Sequence, residues 1–222
     1  MFNNLQRWFG NGLNGILELL ITAFCVLLSL SIHETAHGYA AHLLGDDTAK
    51  SMGRLSLNPK AHLDPIGAIC LFLFGFGWAN PVPVNPRNFD KVSMKSGMVI
   101  TSFAGPLANI ITAFISMILM RFMRYAGGGI WVFPVYTILS VLISMNISLA
   151  VFNLIPVPPL DGYKVLSAVL PPRYYFKLMQ YERYGFIVLL LIIYLRPFNY
   201  LLSSAVSGIY SLLDMVLNIF PF

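Results

Sequence analysis

Four long apolar runs are the feature that most constrains how this chain can fold. A helix rises about 1.5 Å per residue and a membrane's hydrocarbon core is about 30 Å thick, so each run is long enough to cross a bilayer. Only 10% of the 222 residues are charged and 57% are apolar, which leaves too little polar surface for a soluble globule of this size. We therefore predict an all-α polytopic membrane protein, with residues 1–222 in one membrane domain. The runs are Leu13–Leu30, Met98–Met120, Ile130–Phe152 and Phe186–Phe220.

The basic residues indicate which side of the membrane each loop faces. If the chain crosses at about 13–44, 97–124 and 131–153, most Lys and Arg residues fall on the side that receives the end of the first span. The positive-inside rule makes that side cytoplasmic and puts the N-terminus outside. The net charge of +5 is spread among these loops without forming a basic patch, so we expect no nucleic-acid partner. The cytoplasmic set is Lys50, Arg54, Lys60, Arg87, Lys91, Lys95, Lys164, Arg173, Lys177 and Arg183, and the outer set is Arg7, Arg121 and Arg124.

Two segments are not simple spans. Residues Ile66–Ala79 form an apolar run too short to cross, and Asn80–Pro86 contains three prolines, which deny helix and central-strand hydrogen bonding. We predict a short re-entrant or β-strand element here that returns to the cytoplasmic side and is covered by protein or water. Arg196 and Pro197 interrupt the final apolar run, which is therefore either one kinked span or two shorter helices.

The first apolar run continues into HETAH, residues 33–37, which fits the pattern H-E-x-x-H. On a helix, His33 and His37 lie about 40° apart around the axis, so both imidazoles can bind one metal ion. Glu34 is close enough to address a water at that metal without being a ligand. Helical histidines are usually structural, but an ionisable cluster in a membrane span is costly unless it is paired, hydrated or metal-bound, and by default it marks a functional site.

A catalytic zinc site normally has a third protein ligand. Glu18 lies about four turns away on the same helix, and Glu182 lies beyond the break at Pro171 and Pro172. Asp161 is better placed, because it follows the third span on the same cytoplasmic side as the histidines. An Asp-Gly pair after prolines is by itself more often a simple turn, and the metal pair on the same side favours the ligand interpretation.

Three motifs follow one another on successive apolar segments: HETAH at 33–37, AGPLAN at 104–109 and NLIPVPPLDG at 153–162. Together they resemble the motifs of the site-2 protease family of intramembrane zinc metalloproteases. Residues 53–67 and 76–89 further resemble the family's short prokaryotic members without a PDZ domain, and the resemblance covers essentially Ile16–Leu170.

The resemblance implies a three-helix catalytic core over residues 13–170, followed by C-terminal helices over 171–222. It also implies one zinc ion per chain and a cytosolic active site in a prokaryotic inner membrane. In this implied site, zinc is held by His33, His37 and Asp161, and Glu34 activates water.

Two asparagines are open to more than one interpretation. In the family, the residue that matches Asn153 is a candidate for stabilising the oxyanion, and a helix-terminal asparagine that caps backbone carbonyls is an equal alternative. Tight helix packing with an interhelical hydrogen bond explains Asn109 without a catalytic role.

The resemblance also implies the substrate: transmembrane proteins, met within the lipid bilayer. A transmembrane helix hides its peptide bonds in its own hydrogen bonds, so a protease must receive an extended segment. The family's membrane-associated strand pairs with such a segment, although prolines also block unwanted pairing and a protective role is an equal alternative. The residues that resemble this strand are Asn80, Pro81, Val82, Pro83 and Val84.

Two other functions fit parts of the pattern. Membrane-embedded His and Asp ligands suit a divalent-metal transporter, but a transporter gains nothing from Glu34 and more often contains internal repeats. A catalytically silent scaffold would not need His33, Glu34, His37 and Asp161 intact. Two histidines and one carboxylate alone would also suit iron, and zinc is favoured by the resemblance.

Overall fold

A computed structural model describes residues 12–67, 70, 79–125, 129, 131–171, 180 and 182–219. Most of this part of the chain is helical. The α-helices are α1 Gly12–Leu43, α2 Thr48–Ser51, α3 Met94–Phe122, α4 Val132–Asn153, α5 Asp161–Val169, α6 Gly185–Ile193 and α7 Arg196–Ile219. Short 3-10 helices occur at Pro59–Ala61, Pro86–Asn88, Met123–Tyr125 and Glu182–Tyr184.

Helices α1, α3, α4 and α7 are each long and apolar enough to cross a bilayer. The first three coincide with the predicted crossings to within three residues at either end. The prediction of an all-α polytopic membrane protein is thereby confirmed, because length and apolar content alone determine which segments can span.

The final apolar run forms two helices. The first, α6, has nine residues and rises about 13 Å, too little to cross a bilayer. The second, α7, has 24 residues and is long enough to cross. Pro197 is the second residue of α7, where a missing N–H costs no intrahelical hydrogen bond, so the proline starts the second helix instead of kinking one long span.

The apolar core lies where α3, α4 and α7 meet, and α1 packs against both α3 and α4. At the end of α3, Arg121 donates to the carbonyl of Leu217 in the last turn of α7 at 2.9 Å. Helices α3 and α7 therefore end on the same side of the bundle. The buried cluster consists of Ala113, Met117, Ile143, Ile147 and Leu217.

A buried carboxylate, Asp46, holds the loop between α1 and α3 against the end of α1. It accepts hydrogen bonds from the backbone N–H of Thr48 at 3.1 Å, from the backbone N–H of Asn85 at 2.6 Å and from the side chain of Asn88 at 2.8 Å. Burial raises the pKa of Asp46, but these hydrogen bonds outweigh burial and hold the pKa below its usual value. Asp46 is therefore charged at neutral pH and anchors the loop.

Much of the predicted re-entrant or β-strand element, Ile66–Ala79, lies outside the described residues. The structure describes an isolated antiparallel bridge between Leu63 and Ala79, followed by Asn80–Val84 without a strand assignment. Residues that precede proline, such as Asn80 and Val82, favour extended backbone. Within the described residues, the β-structure is thus limited to this bridge.

Candidate metal centre

Two imidazoles of α1 face each other inside the helix bundle. His33 and His37 are four residues apart, and their Nε2 atoms are 3.0 Å apart. The two residues are only 4% and 7% exposed. Two buried ring nitrogens at this distance can share a proton or bind one cation.

Asp161, the first residue of α5, brings a carboxylate to the two histidines. Its Oδ2 atom lies 3.1 Å from Nε2 of His33 and 3.0 Å from Nε2 of His37. The next residue, Gly162, allows α5 to begin this close to the end of α4, because a Cβ there would overlap the carbonyl group of Leu154. The turn after α4 thus completes a buried group of three ligand atoms that all lie within 4.8 Å of one another.

Lys164 determines which oxygen of Asp161 faces the histidines. Its Nζ atom donates to Oδ1 at 2.9 Å, which leaves Oδ2 to the imidazoles. Burial raises the pKa of Asp161, but its contacts with His33 and His37 and the charge of Lys164 outweigh burial and hold that pKa far below its usual value. The carboxylate is therefore negatively charged at neutral pH.

One face of α3 supports both histidines. Thr101, Gly105 and Asn109 follow one another at intervals of four residues and are buried. Nδ1 of His37 donates to the carbonyl of Thr101 at 2.6 Å, and Nδ1 of His33 lies 3.3 Å from Nδ2 of Asn109. Between these contacts, a Cβ at Gly105 would run into both imidazole rings. The glycine therefore makes room for the histidine pair.

The three ligand atoms fit a zinc ion. Imidazole nitrogens and a carboxylate oxygen are ordinary zinc ligands, and their separations of 3.0–3.1 Å approach the ~3.3 Å expected between ligands of a tetrahedral ion with bonds of ~2.0 Å. The Thr101 carbonyl accepts a hydrogen bond from the Nδ1–H group of His37, which leaves the lone pair of the neutral imidazole on Nε2, directed into the cluster. Three protein ligands leave one position of a tetrahedral ion for water or substrate.

Glu34, the residue after His33, lies against the loop. It is half-buried, and its Oε2 atom accepts a hydrogen bond from the backbone N–H of Val82 at 2.9 Å. Arg54 donates to the carbonyls of the two residues before Val82, at 2.7 and 3.2 Å. The segment Asn80–Val84 is thus fixed next to the carboxylate of Glu34, which the sequence motif predicts to be the general base.

Other polar residues of the sequence analysis have partners of their own. Asn153, the last residue of α4, donates to the carbonyl of Leu149 one turn earlier at 3.0 Å. His42 pairs with Asp47, and the Nε2 atom of His62 donates to a loop carbonyl at 2.7 Å. The structure therefore brings His33, His37 and Asp161 together and gives Asn153 a partner within its own helix.

The predictions from the sequence include no site role for Thr101, Gly105 or Lys164, and explain Asn109 by helix packing. A usable signal was present, because Thr101, Gly105 and Asn109 share one helix face and repeat the four-residue spacing of the two histidines. For Lys164 the signal was its position three residues after Asp161, where helix side chains meet.

Comparison with known proteins identifies the family. Residues 123–194 match the family model described as Peptidase family M50. Several relatives are named "Putative zinc metalloprotease", and two of them are similar over most of this chain. YwhC of Bacillus subtilis is 44% identical over 172 residues, which are 75% of this chain and 77% of the relative. Rip2 of Mycolicibacterium smegmatis is 28% identical over 191 residues, which are 83% of this chain and 70% of the relative.

A third relative, "Zinc metalloprotease MJ0392" of Methanocaldococcus jannaschii, is 28% identical over 149 residues, which are 67% of this chain and 34% of the relative. No solved structure matches the chain. The similarity to YwhC extends over three quarters of both proteins, and all three relatives are named as zinc metalloproteases or putative zinc metalloproteases. The resemblance inferred from the sequence motifs and the expectation of zinc as cofactor are therefore confirmed. This chain belongs to peptidase family M50, the site-2 protease family of zinc metalloproteases.

Proposed function

We propose that the protein hydrolyses peptide bonds in or near the transmembrane segments of membrane proteins, at the cytosolic side of a prokaryotic inner membrane. The observation that carries this proposal is the burial of His33, His37 and Asp161 at one point among helices that are long enough to span a bilayer. A zinc peptidase with its metal ligands buried among such helices meets its substrate within the membrane.

The roles that we assign are supported by the geometry of the three buried ligand atoms and by the sequence motif around Glu34. His33, His37 and Asp161 hold the metal, and zinc supplies a Lewis acid that makes water reactive near neutral pH and polarises a carbonyl group. Glu34 accepts a proton from the attacking water as the new C–O bond forms. Glu34 then returns that proton to the amine nitrogen as the C–N bond breaks. Lys164 holds Oδ1 of Asp161, so that Oδ2 faces the histidines, and its charge adds to the contacts with His33 and His37 that keep Asp161 ionised.

Asn153 is our candidate for stabilising the oxyanion. Its amide now donates to the carbonyl of Leu149, so it would have to turn from that partner toward the substrate. Replacing it by alanine separates this role from helix capping, because loss of an oxyanion donor lowers kcat whereas loss of a cap lowers only stability.

Asn80–Val84 is our candidate for the substrate-binding segment. Pro81 and Pro83 have no N–H, and the N–H groups of Asn80 and Val82 already donate to the carbonyl of His62 and to Glu34, so we expect a substrate strand to pair with the N–H of Val84 and the nearby carbonyls. The hydrogen bond from Val82 supports a position of this segment beside the proposed general base. A substrate strand that pairs there would bring its peptide bond to the metal ligands.

We place the site toward the cytosol. His37 lies six residues before the end of α1, which is about 9 Å along the helix axis. The loops at this end carry most of the Lys and Arg residues, and the positive-inside rule makes them cytoplasmic. A site at this depth can be reached by water from the cytosol.

The first test compares zinc content and cleavage of a transmembrane reporter by detergent-purified protein. We expect about one zinc per chain in the wild type, no bound zinc in Asp161→Ala, and bound zinc without cleavage in Glu34→Gln. His42→Ala is the control, since His42 shares α1 with the ligands but pairs with Asp47. Equal cleavage by wild type and Glu34→Gln would overturn the protease proposal and favour metal transport.

A further inference from the structure

We propose that Asn109 is a positioning residue that fixes His33 in its zinc-binding form through the oxygen of its side-chain amide. The inference rests on the proposed function, because it takes His33 to be a zinc ligand. It adds to the three proposed ligands a residue on α3, Asn109, that orients one of them, His33.

Asn109 lies directly behind His33 and is completely buried. Its Nδ2 atom is 3.3 Å from Nδ1 of His33, the ring nitrogen that points away from the metal ligands. Its Oδ1 atom is also buried and has no hydrogen-bond partner among the described residues. A buried amide oxygen is normally satisfied, so this amide has an unused acceptor beside an imidazole.

The chemistry of imidazole connects the two observations. A neutral imidazole carries one proton, and His33 can give the lone pair of Nε2 to a cation only if that proton is on Nδ1. The Nδ1–H group would then face the NH₂ group of Asn109, and two donors cannot form a hydrogen bond. A rotation of the Asn109 side-chain amide by half a circle about its Cβ–Cγ bond exchanges the positions of its oxygen and nitrogen, which are nearly equal in size. The Nδ1–H group of His33 then donates to Oδ1, and the unused acceptor gains a partner.

The amide and the imidazole therefore form a coupled pair with two arrangements. With Nδ2 toward His33, the ring accepts at Nδ1, its proton lies on Nε2, and no lone pair faces the cluster. With Oδ1 toward His33, the lone pair of Nε2 faces Asp161 and His37. Asn109 thus gives His33 the same kind of support that the Thr101 carbonyl gives His37, and partners of this kind strengthen metal binding.

The test measures zinc affinity by chelator competition, together with the visible spectrum of the Co²⁺-loaded protein. Asn109→Leu keeps the volume but removes the acceptor, and Asn109→Ala serves if the leucine variant does not fold. We expect zinc affinity to fall about 10- to 100-fold and the Co²⁺ bands to shift. Asn109→Asp keeps an oxygen that can accept from His33, so we expect it to recover most of the affinity and the wild-type spectrum.

Asn146 provides a matched control. It is completely buried, its Oδ1 atom also has no partner among the described residues, and it donates to Ser29, one turn before His33 on α1, at 2.8 Å. Asn146→Leu removes a similar buried amide without touching either histidine. We expect it to lower Tm while it leaves zinc affinity and the Co²⁺ spectrum unchanged.

Three outcomes would overturn this inference: wild-type affinity and spectrum in the Asn109 variants, equal loss of affinity in the leucine variants of Asn109 and Asn146, and no recovery in Asn109→Asp. Failure of the proposed function would give different results. The wild-type protein would then bind no zinc, or Asp161→Ala would bind zinc as tightly as the wild type.

Discussion

The backbone N–H of Val82 donates to the side-chain Oε2 of Glu34 at 2.9 Å, which joins the loop between α1 and α3 to the carboxylate next to the metal ligands. Val82 is 8% exposed, so this hydrogen bond is largely shielded from water. Because hydrogen bonds to charged groups are stronger than neutral ones, the contact orients Glu34. The position of the loop is therefore linked to the orientation of Glu34, the general base that we propose.

Val82→Pro removes the N–H group while it keeps an apolar side chain of similar size. Loss of a hydrogen bond to a charged group costs about 1.5–3 kcal/mol, so we expect kcat for the transmembrane reporter to fall roughly 10- to 100-fold. Zinc content should stay at the wild-type level, because the ligands are untouched. Single-turnover cleavage and metal analysis of the same preparation measure the two effects.

Val84→Pro is the control for this change. It adds a proline to the same segment and leaves the contact between Val82 and Glu34 in place. If substrate pairs with this segment, Val84→Pro should raise KM more than it lowers kcat. Equal loss of kcat in the two variants would show that proline stiffens the loop and that the contact with Glu34 is unimportant.

Gly105→Ala should damage metal binding without a change in any ligand. The added Cβ would run into the rings of both His33 and His37, so the imidazoles must move apart or α3 must move away. We expect zinc affinity to fall by a factor of ten or more, in the range seen when groups that orient ligands are lost. Gly208→Ala on α7 is the control, because a Cβ there meets open space. Wild-type zinc affinity in Gly105→Ala would contradict the tight packing of this helix face.

The first three spans and the pairing of His33 with His37 could be predicted from the sequence because each leaves a local signal. The first three spans follow from the length of their apolar runs, and HETAH places His33 and His37 on one helix face. The final run was ambiguous, since a proline can kink a helix or begin one, and packing decides between the two. Pro197 begins α7.

Contacts between distant parts of the chain could not be predicted. Asn109 meets His33 only because α1 and α3 pack with a particular relative rotation, and no local pattern determines that rotation. The hydrogen bond from Val82 to Glu34 depends likewise on how the loop folds back over α1. The pairing of His33 with His37 thus follows from local spacing, whereas the approach of Asp161 and of the groups that orient the histidines depends on helix packing.

The Asp46 anchor gives the loop a defined pH dependence. The pKa of this carboxyl lies below its usual value of 3.8, so it stabilises the fold fully above about pH 4 and loses this contribution as pH falls through the lowered pKa. In Asp46→Asn, the new NH₂ group would face N–H groups that now donate to the carboxylate. We expect this change to lower the free energy of unfolding by about 1–3 kcal/mol at neutral pH. The difference in stability between wild type and variant should shrink below about pH 4.

Thermal unfolding at several pH values, together with protease cleavage of the loop, measures this effect. Asp47→Asn is the control. Asp47 is the next residue in the chain, but its carboxylate is 65% exposed and therefore contributes less to stability. A stability difference between wild type and Asp46→Asn that grows as pH falls below 4 would contradict the assigned role.

Removal of zinc should lower Tm reversibly. Without a cation, the Nε2 atoms of His33 and His37 and the Oδ2 atom of Asp161 must share the available protons or move apart, since they lie 3.0–3.1 Å from one another. A ligand at a thousand times its Kd stabilises the folded state by about 4 kcal/mol, so restored zinc should raise Tm of the chelated protein. Asp161→Ala should show no such response, and His42→Ala should respond like the wild type because His42 pairs with Asp47. If the wild-type protein has the same Tm with and without zinc, these three side chains do not form a binding site in the folded state.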